Sequence, residues 1–196
     1  MELVFASSNQ NKIREINSVI PQGYKILGLK DIGITEEIPE PGETIKENSF
    51  LKAKYVADFL KSQNRSMPVF ADDSGLEVIT LNNAPGVYSA RYAGIPKNDE
   101  NNNKKLLQEL KLHTNRRARF VTVITLLLNG QDYYFEGEIK GTIAYEPRGT
   151  AGFGYDPLFI PQGYRSTFAE LGADVKNTIS HRALAVKSLA AYLKML

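Results

Sequence analysis

The chain of 196 residues contains no cysteine. That absence excludes disulfides, thiolate metal sites and a cysteine nucleophile. Charge of one sign is not in excess either. Lysine and arginine number 24 against 22 aspartates and glutamates, and the net +2 is too small to argue for nucleic acid by itself. The basic run RRAR (116–119) has no interleaved aromatic residues, so it reads as a solvated face rather than a nucleic-acid platform. No apolar run is long. The longest, VTVITLLL, is far too short to span a membrane. No signal-peptide pattern opens the chain, because Glu2 comes at once and the apolar run behind it extends only from Leu3 to Ala6. The cytoplasm is the expected location. There is no serine–histidine–aspartate spacing to defend, and His113 lies in the polar stretch KLHTN.

What is present is a globular composition, 42% hydrophobic and 23% charged. The length is enough for one sizeable core. No repeat, low-complexity tract or long linker appears, so residues 1–196 read as a single domain. LVFAS (3–7) reads as a short buried strand. NQNKIREINSVI (9–20) carries Ile13, Ile16, Val19 and Ile20 at helical spacing, and Pro21 ends it. YKILGL (24–29) is a second strand, so β–α–β opens the chain and an α/β fold is expected. Residues 30–43 are a loop, and residues 44–63 a long amphipathic helix. PVFADDSGLEVI (68–79) begins as a strand that ends at the aspartates; LEVITL continues the sheet and NNAPG turns. Residues 98–111 read as a polar surface helix. Residues 117–144 form a hairpin around Asn129-Gly130, and residues 180–196 a closing helix. Helices among single strands and a hairpin predict a mixed sheet.

Several stretches carry chemistry. ASSNQNK sits at a strand-to-helix junction, where Ser7, Ser8 and Asn9 suit an N-cap and free backbone N–H groups suit phosphate. Lys12 then falls in the first helical turn, against the helix dipole, and needs an offset. An anionic ligand would supply one; a plain capped helix with a solvated lysine is the alternative. Among five nearby glutamates, Glu40 stands out because Pro39 and Pro41 stiffen its backbone.

Asp72 and Asp73 put two adjacent carboxylates beside apolar residues, which is costly unless something positive offsets them. One reading is a hard cation, since Mg²⁺ uses one or two carboxylates plus substrate phosphate. The other is an Asx turn into Ser74-Gly75. In an unbroken strand the two aspartates would face opposite sides. GTAGFGYDPLF (149–159) brings glycines that allow close approach, Phe153 or Tyr155 to stack on a base, and Asp156 to accept from ring N–H groups; a tight loop over core aromatics is the alternative. KNTISHR (176–182) ends with Ser180 as an N-cap, followed by His181 and Arg182, two potential cations at the unfavourable end of a helix.

Taken together and in order, SSNQNK, EPGETIKENSFLKAK, FADDSGLEV, APGVYSARYAG, GTAGFGYDPLF and KNTISHRALA resemble the inosine/xanthosine triphosphate pyrophosphatase family over nearly the whole chain. The resemblance implies an α/β protein of two lobes around a long mixed sheet flanked by helices, with an active-site cleft between the lobes. It implies a Mg²⁺-dependent, usually homodimeric, intracellular enzyme that hydrolyses deaminated purine nucleoside triphosphates to monophosphate and pyrophosphate. It assigns Ser7, Ser8, Asn9, Gln10, Asn11, Lys12 and Lys52 to the triphosphate. Glu40 and Asp73 become the metal carboxylates, with Asp73 also the general base, and Ser74 touches substrate. Phe153, Gly154, Tyr155, Asp156, Lys176, His181 and Arg182 become the base pocket. Two departures exist: Ser7-Ser8-Asn9 stands where many members have Thr-Gly-Asn, and Ala151 where many have glycine.

On that resemblance the substrate is a purine nucleoside triphosphate, with neither nucleic acid nor membrane as partner. Mg²⁺ bridging carboxylate and triphosphate would supply the missing positive charge. Two other functions stand beside this one: a related nucleotide pyrophosphatase with another base preference, and a nucleotide- or RNA-binding module without turnover.

Overall fold

The computed structural model describes residues 1–17 and 19–196. The sheet is mixed and six-stranded, in the spatial order β2-β1-β3-β4-β5-β6. β1 (Glu2–Phe5) lies parallel to β2 (Lys25–Leu27), with Glu2 opposite Lys25. It also lies parallel to β3 (Val69–Val78), with Phe5 opposite Phe70. β4 (Arg117–Leu128) and β5 (Gln131–Ile143) flank Asn129 and Gly130, whose φ angles of 51° and 76° are those of a tight hairpin turn. β6 (Phe159–Pro161), which the sequence did not reveal, pairs antiparallel with β5.

The backbone divides into two compact units. The first holds Met1–Asp73, Thr122–Gly137 and Ala183–Leu196; the second holds Ser74–Val121 and Glu138–Arg182. In the first, strand alternation produces two cores. Leu3, Phe5 and Phe70 pack with Ile16 of α1 (Gln10–Asn17) and with Val186, Leu189 and Leu193 of α5 (His181–Leu193). Val4, Val69 and Ala71 pack on the other side with Val56 and Leu60 of α2 (Ile45–Ser62). The helix expected over 9–20 includes Ser18, which lies outside the described residues.

α2 begins where Thr44 accepts a bond from Glu47 N at 3.0 Å. Its buried face is Ile45, Asn48, Ser49, Lys52, Ala53, Val56 and Leu60, at helical spacing. Two polar side chains and a lysine therefore sit on the core side. Ser49 Oγ donates to Ala71 O at 3.0 Å, accepts from Thr125 N at 3.0 Å and lies 2.9 Å from Thr125 Oγ1, tying α2 to β3 and β4.

The second unit packs Leu76, Val78, Phe120, Phe159 and Phe168 with Leu106 and Leu110 from α3 (Asp99–Glu109) and the residue that caps it. α4 (Phe168–Ile179) went unpredicted. A capping box between Thr167 and Glu170 starts it, but Gly172 at φ 77° breaks its regularity, so the apolar period is not legible.

Three expectations are corrected. The strand does not end at the aspartates; β3 runs through Asp72, Asp73, Ser74 and Gly75, so no Asx turn forms there. LEVITL leaves the sheet after Val78, because Ile79–Leu81 is a 3-10 turn and Asn82 and Asn83 adopt left-handed φ. RRAR is not a uniformly solvated face. Arg117 and Arg119 are exposed on β4, whereas Arg116, one residue before the strand, is buried, and its guanidinium donates to the carbonyls of Ile143 (2.7 Å), Leu110 (3.1 Å) and Ala144 (2.8 Å). No helix among the described residues is long and apolar enough to cross a membrane.

Arg116→Met keeps the stem but leaves three carbonyls without their donor. It should destabilise the fold by about 2–4 kcal/mol in urea denaturation, with Arg116→Lys recovering only part, since an ammonium cannot reproduce the planar fork. A loss below about 0.5 kcal/mol would contradict this role.

Candidate active site

The first unit gathers three carboxylates around two lysines. β3 alternation turns Asp72 and Asp73 to opposite faces, and each meets a lysine from a different helix. Lys12 Nζ of α1 lies 3.0 Å from Asp72 Oδ1. Lys52 Nζ of α2 lies 3.1 Å from Asp73 Oδ1 and 2.7 Å from Glu40 Oε1. The offset that Lys12 needs is thus Asp72, without recourse to a ligand. Two ammonium groups of the chain itself make the adjacent aspartates tolerable.

The junction before α1 is capped by Asn9, whose Oδ1 accepts from Asn11 N (3.0 Å) and Lys12 N (3.3 Å). Ser7 Oγ accepts from Asn9 N at 3.2 Å. Ser8, Asn9 and Gln10 are exposed, and Ser7 and Asn11 half-buried. Position 8 does not adopt positive φ, so serine there departs from the family pattern without backbone strain. Glu40 is held by more than its two prolines. Gly42 N donates to Asn48 Oδ1 at 2.7 Å, and a Cβ at Gly42 would stand 2.7 Å from that oxygen. The loop therefore lies against α2 one turn before Lys52.

Burial pushes the Asp73 carboxyl up, with Glu40 adding to that, while Lys52 and Lys12 pull it back; the net direction is up. Burial also works against the Lys52 ammonium, but Asp73, Glu40 and Asp72 outweigh it and hold Lys52 above its ordinary range. Among the described residues no three His, Asp or Glu side chains form a metal cage. Glu40 and Asp73, both bonded to the Lys52 ammonium, are two carboxylates of the kind that could hold a divalent cation.

The second unit assembles the aromatic loop with Lys176, His181 and Arg182. Asp156 Oδ2 accepts from Lys176 Nζ at 2.7 Å and from Phe153 N at 3.0 Å. Lys176 Nζ lies 4.2 Å from the Phe153 ring centroid, and the Arg182 guanidinium 5.8 Å. Arg182 Nη2 donates to Ser74 Oγ at 3.3 Å. Gly152 has φ 82°, and a Cβ there would collide with the Asp156 carboxylate. Ala151 is exposed and not left-handed, so glycine is dispensable at that departure.

Phe153 is half-buried, and of the two aromatics it is the one able to stack on a ligand. Tyr155 is not: it is 4% exposed, packs in the core and donates its hydroxyl to Ser89 O at 2.8 Å. Asp156 already bonds Lys176 and the loop backbone, so its evident work is holding the loop together rather than meeting a base. His181 is buried and stacks on Phe120, with centroids 4.6 Å apart and planes 9° apart. Ser180, with φ −68° and ψ 156°, separates α4 from α5 as its N-capping character suggests.

Sequence reasoning missed Asn48, Asp99 and Asn103. Asp99 and Asn103 lie on α3, expected to be only a polar surface. The available signal was Asn101-Asn102-Asn103, a run of poor helix formers inside a helix, which asks for side-chain work to justify it.

Comparison with known proteins places these residues in context. The family model described as the Ham1 family matches residues 3–192. A dITP/XTP pyrophosphatase of Flavobacterium johnsoniae is 52% identical, over 96% of this chain and 96% of its own. One from Flavobacterium psychrophilum is 50% identical, over 99% of this chain and 100% of its own. The structure of a HAM1 protein from Coxiella burnetii superposes with a TM-score of 0.91 at 37% identity, covering all of both chains.

Asp73, with its raised carboxyl, keeps its proton to higher pH in the folded protein than in the unfolded chain. Its contribution to stability is present below the unfolded range and is lost as pH rises through the folded value. Lys52→Met removes the nearest cation and pushes Asp73 up further. The variant should lose about 3–5 kcal/mol at pH 7.5 and distinctly less at pH 5, where protonation relieves the buried charge. Urea denaturation at both pH values measures this, and a deficit that does not shrink on acidification would contradict it.

Proposed function

The chain belongs to the Ham1 family, and from that premise we propose that it hydrolyses deaminated purine nucleoside triphosphates (ITP, dITP and XTP) to the monophosphate and pyrophosphate. Such an activity clears the nucleotide pool of bases that mispair. The names of its relatives support the reaction. The observation that carries the reading is the pair Glu40 and Asp73, two carboxylates converging on one buried ammonium in the unit that also holds the Asn9-capped helix start.

In this reading the exposed N–H groups and side chains of Ser7 to Lys12 receive the polyphosphate, helped by the positive end of α1. Lys12 and Lys52 add fixed positive charge against the oxygens where negative charge grows. Asp73 accepts a proton from the attacking water, and its upward shift brings it nearer the working pH of a general base. Glu40 and Asp73 would hold Mg²⁺, which when bound neutralises phosphate charge and positions the water. Substrate arrival changes what Lys52 faces, since the carboxylates it now bonds would then share their lone pairs.

In the second unit Phe153 stacks on the base, and Arg182 donates to the carbonyl at the purine 6-position. Ser74, which accepts from Arg182, holds that guanidinium beside the substrate. Arginine offers only donors. Adenine presents an amino group at the same place, so its binding leaves buried donors facing each other. The working form is a homodimer in the cytoplasm, with purine nucleoside triphosphate as its partner.

Incubation with Mg²⁺ and a panel of nucleoside triphosphates, followed by chromatography, tests the reaction. Pyrophosphate and monophosphate should appear together, and Asp73→Asn and Glu40→Gln should each lose at least about a hundredfold in rate while remaining folded. Nucleoside diphosphate appearing first, or full activity in excess EDTA, would overturn the proposal. Arg182→Ala should lower the ITP-to-ATP ratio of kcat/KM by about tenfold to a hundredfold. An unchanged ratio would remove Arg182 from base recognition.

A further inference from the structure

One residue of the aromatic loop is held through both of its backbone polar groups by a single helix. Gly154 N donates to Asp99 Oδ2 at 2.6 Å, and Gly154 O accepts from Asn103 Nδ2 at 3.0 Å. Asp99 and Asn103 are four residues apart on α3 and so project from the same helical face. Gly154 sits at φ 62°, a conformation that a side chain would oppose, and nothing lies within 4 Å of where its Cβ would stand. Space is therefore not what demands glycine here. The backbone conformation is, and the two side chains of α3 bond both polar groups of the residue that adopts it.

The grip matters because of what flanks Gly154. Phe153 precedes it, the ring beside which Lys176 and Arg182 lie. Tyr155 follows, anchored in the core and bonded to Ser89 O. Asp156 then turns back to Phe153 N and Lys176. The loop is thus fastened on its C-terminal side by Tyr155 and Asp156, and at its apex by Asp99 and Asn103. Asn102 of the same helix secures the preceding segment, accepting from Ala93 N at 2.7 Å and donating to Ala90 O at 3.1 Å. α3 is accordingly the frame on which this loop is mounted. The amide of Asn103 is buried, 8% exposed, and its nitrogen bonds Gly154 O.

We propose that Asp99 and Asn103 are specificity-determining positioning residues: by holding the two peptide groups on either side of the Gly154 α-carbon they fix the plane of Phe153, and with it the distance at which Arg182 meets the base. The inference rests on the proposed nucleotide function and deepens it. The carboxylate supplies a charge-assisted bond to the N–H, and the amide a bond to the carbonyl, so together they resist both rotation and withdrawal of the peptide. Neither side chain touches substrate. Their effect is on where the stacking ring stands, and a small misplacement of a positioning group is enough to erode selectivity.

The test compares Asp99→Ala, Asn103→Ala and the double variant with wild type. The double variant should raise KM for ITP by about tenfold, leave kcat within about twofold, and lower the ITP-to-ATP ratio of kcat/KM by about tenfold. Asp99→Asn, which keeps an acceptor oxygen, should recover most of the ratio. Amide hydrogen exchange in the free protein should quicken at Gly154 and its neighbours in the double variant. Ile143→Val, a core-trimming change in the same unit, serves as the stability control and should alter neither KM nor ratio. Wild-type discrimination that survives unchanged in the double variant overturns this inference alone. A wild type that discriminates among no bases overturns the proposed function and this inference with it.

Discussion

The buried charge balance along β3 is the constraint on which the rest of the first unit depends. A strand cannot place two consecutive side chains on one face, so Asp72 and Asp73 enter two separate cores. An isolated carboxylate in either would be expensive, and each core admits one lysine to answer it. That requirement sets where α1 and α2 must lie. Lys12 has to reach Asp72 from one side and Lys52 has to reach Asp73 from the other. Ser49 and Asn48 then appear as consequences. They bond α2 to β3 and to the loop carrying Glu40, which keeps Lys52 and both its carboxylates in register. Burial is the main cause that keeps Asp73 shifted upward, with Glu40 adding a smaller push, while Lys52 and Lys12 act against both.

The second unit solves a different problem, which is to hold an aromatic side chain still on a loop made of glycine. Glycine costs the most chain entropy to order. Its left-handed conformations at Gly152 and Gly154 persist because polar side chains bond the peptides around them. Here too a buried carboxylate, Asp156, is matched by a lysine, Lys176. A buried lysine–carboxylate pair thus recurs in both units, and in the second its carboxylate also bonds the loop backbone.

Much of the architecture was legible along the chain. α2 and the β4–β5 hairpin stand nearly where their periodicity and turn residues put them, because cap, period and Asn-Gly turn are local signals. β6 and α4 were not legible. A three-residue strand has no period to detect, and Gly172 at φ 77° interrupts α4. Arg116 looked like one of several solvated arginines because its neighbours are; what separates it from them is the set of distant carbonyls, Leu110, Ile143 and Ala144, that the fold brings to its guanidinium. Tyr155 and Asp156 were grouped with Phe153 by proximity in sequence, yet one is core and the other already engaged.

By itself the sequence determined which residue types were available and where each local element starts: two adjacent aspartates, a proline-framed glutamate, a capped junction before Lys12, and glycines around Phe153. Order and spacing of those stretches were enough to point to a family. Only the tertiary structure decided which charges meet. Lys12 and Asp72 are 60 residues apart, Lys52 and Asp73 are 21 apart, and Gly154 and its acceptor Asp99 are 55 apart. No local signal encodes such pairs, because their energy arises only after the fold has removed water from between them.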